Sequence, residues 1–289
     1  MNFFKNPTPI QIFAEFTDSV FRVRGPVSFE TPLERDQQGG LTEGCQQKCN
    51  ERLLRSLDAK GALYEILCSI PLRGVALRRI HLPKVSAEEI PGLLEFQIEK
   101  EFPLSLDELS WLSFPARGQE VLEANGGLDF SVFGIRRSVL RNYQAVFKNL
   151  TSQVAWTLSQ LSRALALGEG TLTREGLLIH AGQHYSEWIR LQKGAPIQSG
   201  YLTQGYDSGL GSDSKIYKDI QSVIGFGSVA PQIQAPVVIT TDPSGSSEAA
   251  ILEESLKSIS ISASCFGQNA SESTLDDGGS LALLGLESK

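Results

Sequence analysis

The chain has 289 residues, 41% of them hydrophobic and 20% charged, and a formal net charge of −7 at pH 7. That length can carry one large or two ordinary domains with sizeable cores, while the acid excess argues against a nucleic-acid groove, which concentrates Lys and Arg. No run of about 18 apolar residues is present, so nothing reads as a bilayer span.

The N-terminal stretch Met1 to Phe13 lacks the apolar core and small-residue cleavage site of a secretory signal, which points to the cytoplasm. Pro9 to Arg24 reads as a hairpin, two apolar-rich runs around Thr17-Asp18-Ser19, and Gln38 to Thr42 as a polar loop. Cys45, Cys49, Leu53 and Leu57 form an i, i+4 stripe and predict a helix. The two thiols on it read as small hydrophobes, because no His or second Cys pair lies nearby to complete a metal site. Cys68 and Cys265 sit in apolar, strand-like runs and read the same way; four cysteines without a signal fit reduced thiols.

Leu63 to Pro71 predicts a buried strand. Arg79 to Leu82 alternates like a half-buried strand, and Ser86 with Glu89 has the spacing of a capping box. Ile90, Leu93, Leu94, Ile98 and Phe102 then mark one helical face, ended by Phe102-Pro103. Pro91 removes a backbone donor early in that helix and should bend it or delay its start. A loop follows, then a strand over Leu128 to Ile135, an amphipathic helix over Ser138 to Leu150 and a shorter helix over Thr157 to Leu167. Past Gly168 and Gly170 the pattern restarts. Glu175 to Gln192 holds two strands around Gly182-Gln183-His184, followed by a helix at Ser214 to Ile224 and a strand at Pro236 to Thr241. A helix at Ser246 to Leu256, a strand at Ile259 to Cys265, a polar stretch and an apolar patch at Leu281 to Leu286 complete the reading. Two hairpin-then-helix halves make this an α/β protein on a duplicated plan.

The run Ile80-His81-Leu82-Pro83, Ser86-Ala87-Glu88-Glu89, Leu93 to Phe102, Pro103 and Asp107-Glu108 resembles the PilM proteins of type IV pili and the cytoplasmic part of the GspL proteins of type II secretion, within the actin-like ATPase superfamily. Residues 76 to 104 carry that resemblance most specifically. It implies an actin-like (ribonuclease H-like) two-lobed fold with an inserted α+β subdomain and a reduced second lobe. The corresponding segments are 1–75 for the first lobe, 76–150 for the insertion and 151–289 for the shortened second lobe. The Gly279 to Lys289 stretch resembles the start of the family's last helix.

In that superfamily the phosphates rest on backbone N–H groups of two hairpin turns, with an Asp near each. By resemblance the nucleotide-facing residues are Glu15, Thr17, Asp18 and Ser19 at the first turn and Gly182 and Gln183 at the second. Bulky Phe16 stands where the family has Gly, His180 takes the place of the second Asp, and Pro243 cannot donate in the loop Thr240 to Gly245. These departures imply a non-catalytic scaffold without cofactor. A degenerate loop can still cradle phosphate through its N–H groups, so a nucleotide-switched ATPase with Mg and ATP is the alternative. The resemblance further implies a place at the cytoplasmic face of the inner membrane and a PilN-like cytoplasmic peptide or a secretion ATPase as partner; it leaves room for a homo-oligomer. Leu82, Phe96, Glu99 and Phe102 are the implied groove residues, Phe96 because it lies far around the helix from the apolar stripe.

Other chemistry reads weakly. His180 and His184 on a hairpin do not converge as they would on a helix, with or without Glu187 or His81, so no metal is assigned. No G-x-S-x-G nucleophile elbow occurs and no catalytic residue is assigned.

Overall fold

The computed structural model describes residues 9–36, 40–57, 62–115, 127–150, 152–166, 175–192, 195–208, 214–225, 237–241 and 263–265. In chain order the first elements are β1 (Ile10–Phe16), β2 (Val20–Arg24), β3 (Phe29–Pro32), α1 (Glu43–Ser56) and β4 (Tyr64–Ile70). Next come β5 (Val75–Leu82), α2 (Ile90–Glu101), β6 (Leu109–Pro115), β7 (Leu128–Arg136), α3 (Arg137–Gln144), β8 (Ser152–Leu158) and α4 (Ser159–Ala166). The last are β9 (Glu175–Ala181), β10 (Ser186–Gln192), β11 (Ala195–Leu202), α5 (Lys215–Gly225), β12 (Val237–Thr241) and β13 (Ala263–Cys265).

The chain divides into two compact units. The first gathers Met1–Pro71 and Arg141–Ala166 and is built on a sheet of order β3-β2-β1-β4-β8. Its first three strands run antiparallel, while β4 lies parallel to both β1 and β8. Ile12, Ala14 and Phe16 are wholly buried along β1. Phe16 stacks on Phe21 at 4.6 Å and meets the rings of Tyr143 and Phe147. Thr42 caps α1 by accepting the Cys45 N–H, and the stripe Cys45, Cys49 and Leu53 is buried as its spacing requires.

The second unit gathers Leu72–Leu140 and Leu167–Gly278, and holds two sheets. One has order β11-β10-β9-β12-β13, three antiparallel strands and then two parallel ones, so it repeats the plan of the first unit's sheet strand for strand. Its core joins Leu177, Ile179 and Ile239 to Ile216 and Ile220 of α5. The other sheet is β5-β7-β6, with α2 packed on one face through Ile80, Leu82, Leu94, Ile98, Phe102 and Val132.

Several expectations are corrected. The segment after α2 contains β6 and not only a loop, β3 and β11 add a third antiparallel strand to each expected hairpin, and Thr157 and Leu158, expected in a helix, end a strand from Ser152 that pairs with β4. The helix expected to reach Leu150 ends at Gln144 and tightens into a 3-10 turn at Ala145–Phe147; Asn149 then takes φ 72. Ser86 does not cap α2: the helix starts at Ile90, with Pro91 in its first turn, where no intrahelical donor is needed. The Glu89 carboxylate instead accepts the Ser86 N–H and hydroxyl at 3.0 and 2.8 Å and holds a turn ahead of the helix. Because β8 belongs to the first sheet, the compact units cut the chain differently from segments 1–75, 76–150 and 151–289. The expected loop past Asp242, the helix at 246–256 and the patch at 281–286 lie outside the described residues.

Candidate functional site

The turn between β1 and β2 spends its own donors. Thr17 Oγ1 accepts the N–H of Ser19 at 3.2 Å and of Val20 at 2.9 Å, and donates to the Val20 carbonyl at 3.1 Å. Arg35 clamps the turn from outside, its guanidinium donating to the carbonyls of Asp18 at 3.0 Å and Thr17 at 2.6 Å. Thr17 and Asp18 are buried. Phe16 does not crowd this turn. It faces the other side of β1 from Glu15, and its ring is taken up by the aromatic core.

Glu15 has no exposed surface, and it too is already engaged. Arg163 of α4, 2% exposed, donates to its Oε1 at 2.8 Å, and Arg22 lies 3.6 Å from its Oε2. Cross-strand register explains the arrangement. Glu30, Arg22, Glu15, Ser69 and Thr157 stand directly opposite one another across β3, β2, β1, β4 and β8, forming one polar row over the whole sheet. Arg22 donates onward to Glu30 at 2.6 Å, so the row ends in a carboxylate that reaches solvent. Above it the first turns of α4 are polar yet buried: Ser159, Gln160, Ser162 and Arg163 are each at most 2% exposed. Among the described residues the hydroxyls of Ser69, Thr157, Ser159 and Ser162 have no hydrogen-bond partner. As built, a buried guanidinium occupies Glu15 Oε1, while its Oε2 has no hydrogen-bond partner.

The turn between β9 and β10 is braced differently. The carbonyls of Gly182 and Gln183 accept the N–H groups of Tyr206 and Asp207 at 3.0 and 3.2 Å, and His184 pairs with Asp207 at 2.6 Å. Gly205 lies flat on this turn; a Cβ there would come within 2.1 Å of the Gln183 carbonyl oxygen. His180 is buried in β9 with Nδ1 3.1 Å from Thr240 Oγ1, so His180 and His184 engage different groups. Glu187 accepts the Leu72 N–H at 2.6 Å, and His81 pairs with Asp129 at 2.9 Å. Among the described residues no cluster of three His, Cys, Asp or Glu could hold a metal.

No family model and no curated protein matches the sequence. Solved structures do match its fold. Over 97% of this chain and 98% of the other, it superposes on a PilM-PilN type IV pilus biogenesis complex with a TM-score of 0.73 at 13% identity. The cytoplasmic domain of EpsL, an inner membrane component of the type II secretion system of Vibrio cholerae, matches with a TM-score of 0.52 at 9% identity, over 96% of this chain and 93% of that one. A Bacteroides thetaiotaomicron protein of unknown function with an actin-like ATPase fold matches with a TM-score of 0.51 at 9% identity, over 97% and 96%. The chain has the actin-like fold.

Within this actin-like chain the four expected groove residues separate. Leu82 is wholly buried and Phe102 is 4% exposed; both belong to the core between α2 and its sheet, so neither can line a groove. Phe102 lies so close to β7 that only Gly134 fits beneath it, since a Cβ there would come within 2.4 Å of the ring. Phe96 is 51% exposed, with Lys100 Nζ 3.9 Å above its ring, and Glu99 is exposed beside it. A separate concavity of about 440 Å³ in the first unit is floored by Phe147, Leu150 and Trp156 and edged by Lys148. Sequence reasoning missed Arg163, Arg22 and Arg35, and no local motif marks any of them.

Proposed function

We propose that this actin-like chain is a non-catalytic platform that binds a peptide segment of a pilus or secretion assembly protein, as a component peripheral to the inner membrane. One observation carries the non-catalytic half: Glu15 and the Ser19 and Val20 N–H groups, which would face a nucleotide, are all engaged by Arg163, Arg22 and Thr17. The likeness to the PilM-PilN complex supports a PilN-like partner, and the likeness to the EpsL cytoplasmic domain supports the setting. No described helix is long and apolar enough to cross a membrane. Phe96, exposed beside Glu95, Glu99 and Lys100, offers an apolar anchor ringed by charge of both signs, suited to a peptide that carries a hydrophobic residue among polar ones.

Two measurements test the reading. A cytoplasmic peptide of a PilN-like membrane partner, titrated against the chain by fluorescence anisotropy, should bind saturably. Phe96→Ala should weaken that binding at least tenfold without lowering the melting temperature; no binding at high micromolar concentration overturns the platform. Millimolar Mg-ATP should leave the melting temperature unchanged, whereas a rise of several degrees would report binding to the native state. The second result favours the alternative, a nucleotide-switched ATPase. That alternative draws on the unpartnered hydroxyls of Ser69, Thr157, Ser159 and Ser162, which a polar ligand would satisfy.

A further inference from the structure

Among the described residues the sheet β5-β7-β6 is guarded at one end and unpaired at the other. On the guarded end, β5 carries exposed Arg78, Arg79 and His81, and β11 packs against it. Charge and cover of this kind are how natural sheets keep an edge from pairing. At the other end β6, Leu-Ser-Trp-Leu-Ser-Phe-Pro, pairs only with β7 among the described strands. It has no charged residue, its register with β7 has no bulge, and its one proline is its last residue, Pro115. Trp111 and Leu112 are 36% and 38% exposed, on opposite faces of the strand.

We infer that β6 pairs antiparallel with β6 of a second copy of this chain, about a two-fold axis through Leu112. The order of large and small side chains selects both the partner and the register. With Leu112 opposite Leu112, Trp111 lies opposite Ser113 of the second copy and Phe114 opposite its Ser110, so each aromatic ring meets the smallest side chain of the strand. Shifting the axis to Trp111 sets two indoles against each other, and shifting it to Ser113 sets Leu112 against Phe114. The three centres keep edge-facing residues matched, and only the first fits large to small. The contact is isologous, so it closes on itself as a dimer and does not propagate. It would join the two three-stranded sheets into one of six strands. A single short strand buries less than a standard interface, so the dimer is a weak, concentration-dependent one.

Sedimentation equilibrium of the full chain over about 1–200 μM should show the mass rising toward twice the monomer value, as befits an interface of this size. Leu112→Lys places two like charges at the axis and should weaken association at least tenfold, with the far-ultraviolet circular dichroism unchanged. Leu112→Cys should cross-link copy to copy with a short bis-maleimide, well above the unsubstituted chain, because residues on the axis face each other within about 5.5 Å. A chain that stays monomeric at about 200 μM, a dimer that Leu112→Lys leaves intact, or a Leu112→Cys chain that resists cross-linking overturns the proposal.

Discussion

Glu15 sits on a residue-scale contradiction: a carboxylate with no exposure, at the mouth of a hairpin, gripped by an arginine 148 residues away in sequence. Two charges taken out of water gain little net stability as a pair, but removing one partner strands the other. Arg163→Met should therefore cost roughly 3–5 kcal/mol, read as a fall in the urea midpoint. Adding Glu15→Gln to it should recover a large part of that loss. Strictly additive effects in this double-mutant cycle would show that the two charges do not stabilise one another. Glu15 is singled out in the sequence by the resemblance of the first hairpin turn to those of actin-like chains. Arg163 was invisible there, since a lone arginine in a short helix reads as a solvated face until the fold brings β1 beneath it. Phe16 was misjudged for a related reason: strand alternation sends its bulk to the core face, away from the turn.

At the scale of elements, α2 shows what periodicity does and does not reveal. Its apolar face was legible, and Leu94, Ile98 and Phe102 are buried as the spacing requires. The partner surface was not, because it depends on one glycine in β7. Gly134→Ala should push Phe102 off the sheet and cost about 1–3 kcal/mol, as overpacking does, seen as a lower melting temperature and faster proteolysis around α2. An unchanged melt would mean that the ring finds another rotamer at no cost. The four strands that sequence reasoning missed, β3, β6, β8 and β11, are all sheet edges. Edge strands bury neither face fully, so they lack the clean alternation or the continuous apolar run that announces a strand.

For the molecule as a whole, the buried thiols set a limit on the alkaline side. Cys68 is wholly buried, and its burial, with Glu15 nearby, pushes its thiol well above the ordinary range. The hydrogen bond between Cys49 and Cys45, together with burial, pushes Cys49 up as well. The folded chain keeps both protons, while the unfolded chain releases them near the usual thiol value of about 8.5. Stability should therefore fall as pH climbs past about 8.5, by up to about 1.4 kcal/mol per pH unit for each thiol. Denaturant midpoints on either side of that value measure the fall, and Cys68→Ala should flatten it; equal slopes in both chains would rule Cys68 out as a contributor.

The route of the backbone through the first sheet has a kinetic consequence. Between β4 and its neighbour β8 the chain leaves to build all of β5, α2, β6 and β7 before it returns. A ribosome that has released only the first half of the protein therefore holds four strands of this sheet with β4 bare along one side, its hydrogen-bonding groups waiting for a segment not yet synthesised. Such an interval invites holding chaperones and rogue strand additions, so a fragment cut short of Ser152 should clump where the full-length polypeptide stays dispersed.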